Sequence, residues 1–563
     1  MSAAAKDRDR AFFGHPIGLS TLFFTEMWER FSYYGMRAFL VLYMVGKLEE
    51  GGRGMSDASA GVVMALYTSS VYLLSLPGGW IADRFLGQRR AVIAGGLAIT
   101  LGNVLLAFPI ESLFYPGLGI IAIGTGLLKP NISTLVGQLY STHDPRRDAG
   151  YTIYYMGINI GAWVAPIACG FFAQSETFRE FLGDRGIDPK LCWHFAFGAA
   201  AIGMAAGIIQ YLIGWKRLGD AGLKPTIPDN PKEAARDRTV LGTIVGALLA
   251  IVALFVVLDI LGISVSKDTI GNVFGIGLLM GTVALFYGLL KGARNPDERR
   301  RVIAMIPLFI GGIAFFAAFE QASTTLSLFA ERFVRREYMG INVPASYWQS
   351  VNSTFVVVLA TVFAWMWIRL ARANREPSSV MKFSIGMILT AVSFIVLLPT
   401  IDNITNIQNV FVFAKLPYIE PALDAAVDPL RVSPNYLITL YFFATTAELC
   451  ISPVGLSSMS KLAPTRMAGM VMGTWFLATA IGNYLAGRAA GFSEERGYGF
   501  LFYTLIIGAL VIAAALFFVS PIIKKMMAGA EHASAPADKS EKTEPEPLPK
   551  ATLQKPKDEK KDD

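Results

Sequence analysis

Charge, cysteine and histidine are all scarce in this sequence. Of its 563 residues only 17% are charged, whereas 53% are hydrophobic; an average soluble protein carries about a quarter charged residues. The three cysteines, Cys169, Cys192 and Cys450, lie far apart along the chain, so neither a disulfide framework nor a cysteine-based metal site is predicted. The four histidines form no ligand cluster. We therefore expect no metal and no organic cofactor.

Long hydrophobic runs, in contrast, are abundant in this sequence. The mean hydropathy of +0.46 indicates a polytopic membrane protein that is helical throughout, and about fourteen runs reach the length that a spanning helix needs. They cover residues 19–46, 57–83, 89–109, 114–139, 149–173, 193–215, 239–263, 270–291, 302–333, 346–370, 380–400, 434–459, 466–488 and 498–523. The net charge of +7 comes from Lys and Arg concentrated in the short loops. This distribution predicts cytoplasmic loops and cytoplasmic termini, and does not indicate nucleic-acid binding.

The spans group into two sets of six around a different pair. Spans seven and eight carry almost no polar groups and are flanked by basic linkers, which predicts a lipid-facing hairpin that acts as a structural spacer. The C-terminal tail is rich in Pro, Lys, Glu and Asp, so it is predicted to be disordered. The expected divisions are a cytoplasmic segment 1–18, a six-helix bundle 19–215, linkers and the inserted pair 216–301, a second six-helix bundle 302–525 and the tail 526–563.

The first span carries charges that do not belong in lipid. Glu26, Glu29, Arg30 and Arg37 lie inside it together with Tyr33; each charge at the centre of a span costs roughly 2.5–3.5 kcal/mol to insert. At 100° per residue these five positions fall within about 100° of arc. Their common face is therefore predicted to look into protein or into a water-filled cavity.

An internal repeat relates the two six-helix sets. Lys129 precedes Pro145-Arg146-Arg147-Asp148-Ala149-Gly150 by the spacing at which Glu448 precedes Pro464-Thr465-Arg466-Met467-Ala468-Gly469, and Ser133 matches Ser452. Duplicated halves are typical of alternating-access transporters, whose sites lie near the midplane between the halves. A salt bridge between Lys129 and Glu448 across a central cavity is the hypothesis that follows.

Two sets of motifs resemble known families. The loop Gly79–Arg90, with its acid and several bases at helix ends, resembles the loop motif of the major facilitator superfamily and implies that fold. The stretch Glu26–Arg37 is similar to the first helix of the proton-coupled oligopeptide transporter family. Stretches 124–133, 154–161, 319–321 and 448–457 agree with the same family.

The resemblance implies a di- and tripeptide symporter in a bacterial inner membrane, not an enzyme. A short peptide is a zwitterion, so its site needs cations on one side and an anion on the other. By resemblance, Arg30 and Lys129 hold the peptide carboxylate, while Glu448, Asn159 and Asn352 hold its amino terminus. Further peptide-binding positions are Arg37, Tyr33, Tyr67, Ser452 and Trp475.

Proton coupling would then rest on carboxylates, because the second span lacks the histidine found there in animal members. Glu320 is the main candidate, since it could pair with Arg37 when one side closes and take up a proton when that pair opens. Glu26 and Glu29, beside Arg30, could share or relay the charge. Arg37–Glu320 and Lys129–Glu448 are thus the two predicted gating salt bridges.

Alternatives remain open at this point. Some members of the same family carry nitrate or other metabolites, so another small anion or a drug-like zwitterion could be the cargo. Drug efflux is a further possibility, and a peptide receptor that does not transport is the candidate from another class. The expected partners are small peptides, protons and the lipid bilayer, and a monomer is expected.

Overall fold

The structure is a computed structural model, which describes residues 10–141, 144–226, 230–261, 265–414, 427–462 and 467–531. The chain is almost entirely helical, because apolar runs of this length must satisfy their backbone N–H and C=O groups internally. The first half of the chain contains α1 Gly18–Val45, α2 Asp57–Leu73, α3 Ser75–Ile81, α4 Gln88–Ala107, α5 Phe114–Gln138, α6 Arg147–Gln174, α7 Glu176–Asp184 and α8 Cys192–Ile213.

The inserted pair and the second half of the chain are also helical. The pair consists of α9 Pro231–Ile260 and α10 Lys267–Gly292. The second half contains α11 Pro296–Phe319, α12 Thr325–Phe333, α13 Gln349–Arg372, α14 Ser379–Ile395, α15 Ile401–Ala414, α16 Asn435–Leu462 and α17 Ala468–Glu531. One short antiparallel ribbon, Glu337–Tyr338 with Ile341–Asn342, lies between α12 and α13.

Eleven segments are long and apolar enough to cross a membrane, and one of them, Met470–Met526, has 57 residues. This segment changes direction at Gly497, whose φ is +83°, and therefore supplies two crossings. The charged helix α1 and the helix α9 bring the number to the fourteen predicted. An even number of crossings places the two ends of the described chain, residues 10 and 531, at the same end of the bundle.

Helix boundaries depart from the hydropathy spans in several places. The span 302–333 is broken by a single 3₁₀ turn at Glu320–Ser323, and the span 380–400 breaks at Leu398–Thr400 before α15 begins. Hydropathy detects apolar length but not a change in hydrogen-bond pattern. Helix α17 also continues six residues into the predicted tail; residues 532–563, and residues 464–466 of the repeat, lie outside the described part of the chain.

Helices pack mainly within each half of the chain. In the first half α1 lies between α6 and α8, and α4 packs along α5; in the second half α17 packs on α11 and α14. Across the halves, α2 contacts α17 and α6 contacts α13. Helix α10 is largely exposed and contacts α2 and α17, in keeping with the predicted lipid-facing hairpin.

Hydrogen bonds join the two halves at the end of the bundle where α1 finishes and α2 starts, which we call the Asp57 end. The Arg332 guanidinium forms a bidentate pair with Asp57 at 2.5 and 2.7 Å. The Ala58 N–H donates to Glu494 at 2.7 Å. Nearer the middle of the bundle, about 18 Å along α2 from Asp57, the Ser69 hydroxyl donates to the Ala480 carbonyl at 2.7 Å. The Asp57 end is therefore closed in this conformation.

Close helix approach at Gly61 accounts for part of this closure. A Cβ added at Gly61 would lie 2.8 Å from the Ala490 Cβ and would also meet the backbone of Gly487. Only a residue without a side chain lets α2 and α17 come this near.

We expect Gly61→Ala to open the Asp57 end. Overpacking typically costs about 1–3 kcal/mol, which would move the population ratio of closed to open forms by about 5- to 150-fold. Spin labels at the exposed residues Leu48 and Met339, one in each half, would report a longer distance. Gly277→Ala is the matched control, because a Cβ there meets nothing within 4 Å. An unchanged distance in Gly61→Ala would contradict this account.

Candidate functional site

The charged face of α1 forms a buried ion cluster. Arg30 Nε lies 2.9 Å from a Glu26 oxygen and 2.5 Å from a Glu29 oxygen. Glu26, Glu29 and Arg30 are 2%, 0% and 3% exposed, so the prediction that this face looks into protein is confirmed. Two carboxylates share one guanidinium here.

Tyr33 connects this cluster to a second ion pair. Its ring lies beneath both guanidiniums, 5.6 Å from Arg30 and 5.9 Å from Arg37. Arg37 in turn forms an ion pair with Glu320 of the second half and donates a hydrogen bond of 2.8 Å to the Ser323 hydroxyl. Because Glu320 and Ser323 belong to the 3₁₀ turn, the break in this span places both acceptors opposite Arg37.

A central cavity of about 180 Å³ lies between the halves. Arg37 and Asn159 from the first half line it together with Glu320, Asn352 and Glu448 from the second. The structure thus brings five of the predicted site residues to one cavity. Opposite charges face this space from opposite halves, with Arg37 on one side and Glu448 on the other.

Glu448 is held by its neighbours in the second half. The Asn352 amide donates to Glu448 at 3.2 Å and to the Thr445 hydroxyl at 2.8 Å. These bonds orient the carboxylate from α16 toward α13. Ser452 lies one turn further along α16.

Lys129 and Glu448 have separate partners in this conformation. The Lys129 ammonium lies 3.9 Å from the centre of the Tyr72 ring, and the charges of Glu29, Glu26 and Arg30 also act on it. Among the described residues, no ion pair joins Lys129 to Glu448. The predicted Lys129–Glu448 gate therefore remains a prediction for a different conformation.

Six predicted peptide-binding residues lie outside the set that lines the central cavity: Arg30, Tyr33, Tyr67, Lys129, Ser452 and Trp475. Trp475 packs against Phe316 and Phe383 inside the second half, with ring centroids 5.6 and 6.3 Å apart, because Gly312 leaves room for its indole. Tyr33 and Tyr67 are 3% and 4% exposed, and their hydroxyls have no hydrogen-bond partner among the described residues. Arg30 lies against the Tyr33 ring and does not line the central cavity either.

The sequence reasoning missed three tyrosines that line the cavity, Tyr34, Tyr155 and Tyr441. Tyr155 lies four residues before Asn159 and Tyr441 lies seven before Glu448. Both spacings put the tyrosine on the same helix face as the polar residue. A search of the sequence for aromatic residues four or seven positions from Asn159 and Glu448 would have identified Tyr155 and Tyr441.

The arrangement is suited to binding a small zwitterion. It presents a cation and an anion across a cavity lined by amphipathic aromatic rings. It also contains an ion pair, Arg37–Glu320, that spans the two halves and would be weakened by a proton on the carboxylate. Among the described residues, no group of three or more His, Cys, Asp or Glu side chains is placed to hold a metal ion.

Sequence comparisons identify relatives along nearly the whole chain. The profile of the POT family, PTR2, matches residues 89–498. An uncharacterized transporter of Bacillus subtilis is 37% identical, with 92% of this chain and 96% of that protein covered. A peptide transporter of Yersinia enterocolitica is 34% identical over 92% of this chain and 96% of its own. A di-/tripeptide transporter of Lactococcus lactis is 34% identical over 92% and 98%.

Solved structures agree with the fold described above. A crystal structure of the peptide transporter POT in complex with sulfate has a TM-score of 0.78 and 36% identity, covering 92% of this chain and 96% of that one. A POT family transporter in complex with 5-aminolevulinic acid has a TM-score of 0.77 and 32% identity, covering 91% and 98%. A third structure, of a POT family transporter in complex with a thioalcohol-conjugated peptide, has a TM-score of 0.77 and 32% identity, covering 92% and 98%. The match extends over both halves of the chain.

Proposed function

This chain belongs to the POT family, and on that premise we propose that it is a proton-coupled symporter that imports di- and tripeptides. Relatives that are named peptide transporters cover almost the whole chain, which supports peptides as the cargo. The two-half architecture supports transport by alternating access. The protein is a multi-pass membrane transporter and not an enzyme.

The Asp57 end is the outer side in this proposal. Basic residues are denser in the loops at the opposite end, where residues 10 and 531 lie, and this asymmetry supports cytoplasmic termini in a bacterial inner membrane. The conformation described, with its Asp57 end closed, then has its cavity sealed from the outside. We propose a monomer as the transporting unit.

Charges on the two halves would hold the peptide by its ends. Arg30 and Lys129 act on the carboxylate from the first half, while Glu448, Asn159 and Asn352 receive the ammonium group. In the present conformation Asn159, Asn352 and Glu448 already share the cavity wall. Arg30 and Lys129 lie behind it, so peptide binding would draw these two cations toward the cavity.

Proton coupling would act through Arg37 and Glu320. The observation that carries this proposal is their buried ion pair, which joins the halves and lines the cavity. Protonation of Glu320 removes its charge, and the closed outer side loses a buried ion pair. Arg37, still bound to Ser323, becomes available to the peptide carboxylate. Return of the proton to the cytoplasm would restore the pair and close the outer side again.

Uptake of labelled dialanine into proteoliposomes tests the proposal. An inward proton gradient is expected to drive accumulation above the external concentration, whereas without a gradient uptake stops at equilibration. Binding without uptake would point to a receptor. Movement of peptide against the proton flow would point to efflux.

A second candidate cargo is another small zwitterion. The cavity presents opposite charges, Arg37 and Glu448, which the two ends of any small zwitterion could contact. The complex of a relative with 5-aminolevulinic acid supports the same chemistry. Competition against uptake of labelled dialanine separates the two cargoes. If unlabelled 5-aminolevulinic acid has a lower half-inhibitory concentration than unlabelled dialanine, the small non-peptide zwitterion is favoured as the cargo.

A further inference from the structure

A second cavity, of about 480 Å³, lies at the Asp57 end. This volume falls within the range of about 300–1,000 Å³ that small-molecule sites occupy. The first half contributes the end of α1, the helix α7 and Trp193, and the second half contributes α12 and the segment after it. We call this space the outer cavity. The mechanism proposed above makes no use of it.

The outer cavity and the central cavity lie in series along α1. Leu42 lines the outer cavity and Arg37 lines the central one, and five residues of helix separate them by about 7.5 Å. A closed layer fills the interval. It consists of the Arg37–Glu320 pair and a hydrogen bond of 3.3 Å from the Gln349 amide to the Ala38 carbonyl.

One wall of the outer cavity is already neutralised by ion pairs. Arg332 is paired with Asp57, and Arg336 is paired with Glu331 at 2.9 Å. Glu331 also accepts a hydrogen bond of 3.0 Å from the Gln174 amide. These groups hold the two halves together and leave little charge for a ligand.

The opposite wall offers charges of both signs. Arg179 on α7 lines the cavity, and its side chain is half-buried there. A half-buried guanidinium still presents N–H donors to the cavity, so a ligand carboxylate there would form charge-assisted hydrogen bonds with it. Glu176, one turn earlier on α7, and Glu50 line the same space without a described ion pair.

We infer that the outer cavity is a second binding site for a short zwitterionic peptide, an inference that rests on the proposed function. Arg179 binds the terminal carboxylate, and Glu176 and Glu50 face the ammonium group. A peptide held there waits directly above the closed layer. When that layer opens, the peptide has only about one and a half turns of α1 to travel to the central cavity.

Replacement of Arg179 tests the second site. In purified wild-type transporter, saturation binding of labelled dialanine is expected to give two sites per chain, and Arg179→Gln one. In proteoliposomes, Arg179→Gln should raise the KM for dialanine uptake about fivefold or more, because a charge-assisted hydrogen bond is lost. Its maximal rate should stay unchanged, since the closed layer is intact. Arg179→Lys, which keeps the charge, should recover most of the affinity.

Arg185→Gln is the matched control, because Arg185 lies over the Phe181 ring just beyond α7 and does not line the outer cavity. Glu176→Gln provides a second variant at an exposed position, where folding is not at stake, and should also raise the KM. If the wild type fails to transport dialanine, the proposed function is overturned and this inference with it. If the wild type transports dialanine while Arg179→Gln and Glu176→Gln match Arg185→Gln in both measurements, only the second site is overturned.

Discussion

Glu320→Gln is expected to abolish dialanine uptake driven by a proton gradient while leaving exchange of internal for external peptide within about twofold of the wild type. Glutamine has the shape of the protonated acid but cannot change its charge. The contact between Arg37 and residue 320 therefore no longer responds to pH. Exchange needs no net proton movement, and Ser323 still holds Arg37.

Glu376→Gln is the control for this experiment. Glu376 is another ion-paired carboxylate of the second half, bound to Lys382 at 2.5 Å, but it lies away from the cavity. It should keep proton-driven uptake. Proton-driven uptake by Glu320→Gln at the wild-type rate would rule out Glu320 as the coupling group.

Glu448→Gln is expected to weaken peptide binding by about 10- to 100-fold. A hydrogen bond between charged groups contributes about 1.5–3 kcal/mol, and each 1.4 kcal/mol corresponds to tenfold in affinity. The loss should depend on the ligand. Dialanine, with its free ammonium group, loses affinity, whereas N-acetyl-dialanine binds the wild type and Glu448→Gln equally weakly. Competition binding to purified protein measures both.

Glu495→Gln serves as the matched variant, because Glu495 is exposed near Gly497 and far along α17 from the cavity. It should bind both ligands as the wild type does. An equal loss of affinity for dialanine and for its acetylated form in Glu448→Gln would show that Glu448 supports the cavity without receiving the ammonium group.

Much of the site could be predicted because charge in a membrane span is rare. Four charges on α1 had to face protein, and the buried Glu26–Glu29–Arg30 cluster does so. Glu320 was named through the family resemblance, as a carboxylate able to pair with Arg37, and the structure forms that pair. The free-energy cost of a charge in lipid thus identifies the residues that need a polar or oppositely charged partner inside the protein.

The partners themselves were harder to predict. Lys129 was assigned to Glu448 from the internal repeat, yet its ammonium lies over the Tyr72 ring in this conformation. A repeat relates positions in the two halves but does not say which conformation brings them together. The break at Glu320–Ser323 also escaped, because the residues on both sides of it are equally apolar.

The outer cavity left no trace in the sequence pattern. Its walls are helix ends and loops that meet only when the two halves close. No periodicity relates Arg179 to Leu42 or to Arg332. Such a cavity is a property of one conformation, and only coordinates can reveal it.

The most direct test of the central claim follows both fluxes in the dialanine proteoliposomes. With pH equal on both sides and a pH dye inside, an inward dialanine gradient should acidify the lumen as peptide enters, because each peptide would carry protons with it. Glu320→Gln, loaded for exchange, should move peptide without acidification. Net dialanine uptake by the wild type at constant internal pH would contradict proton coupling.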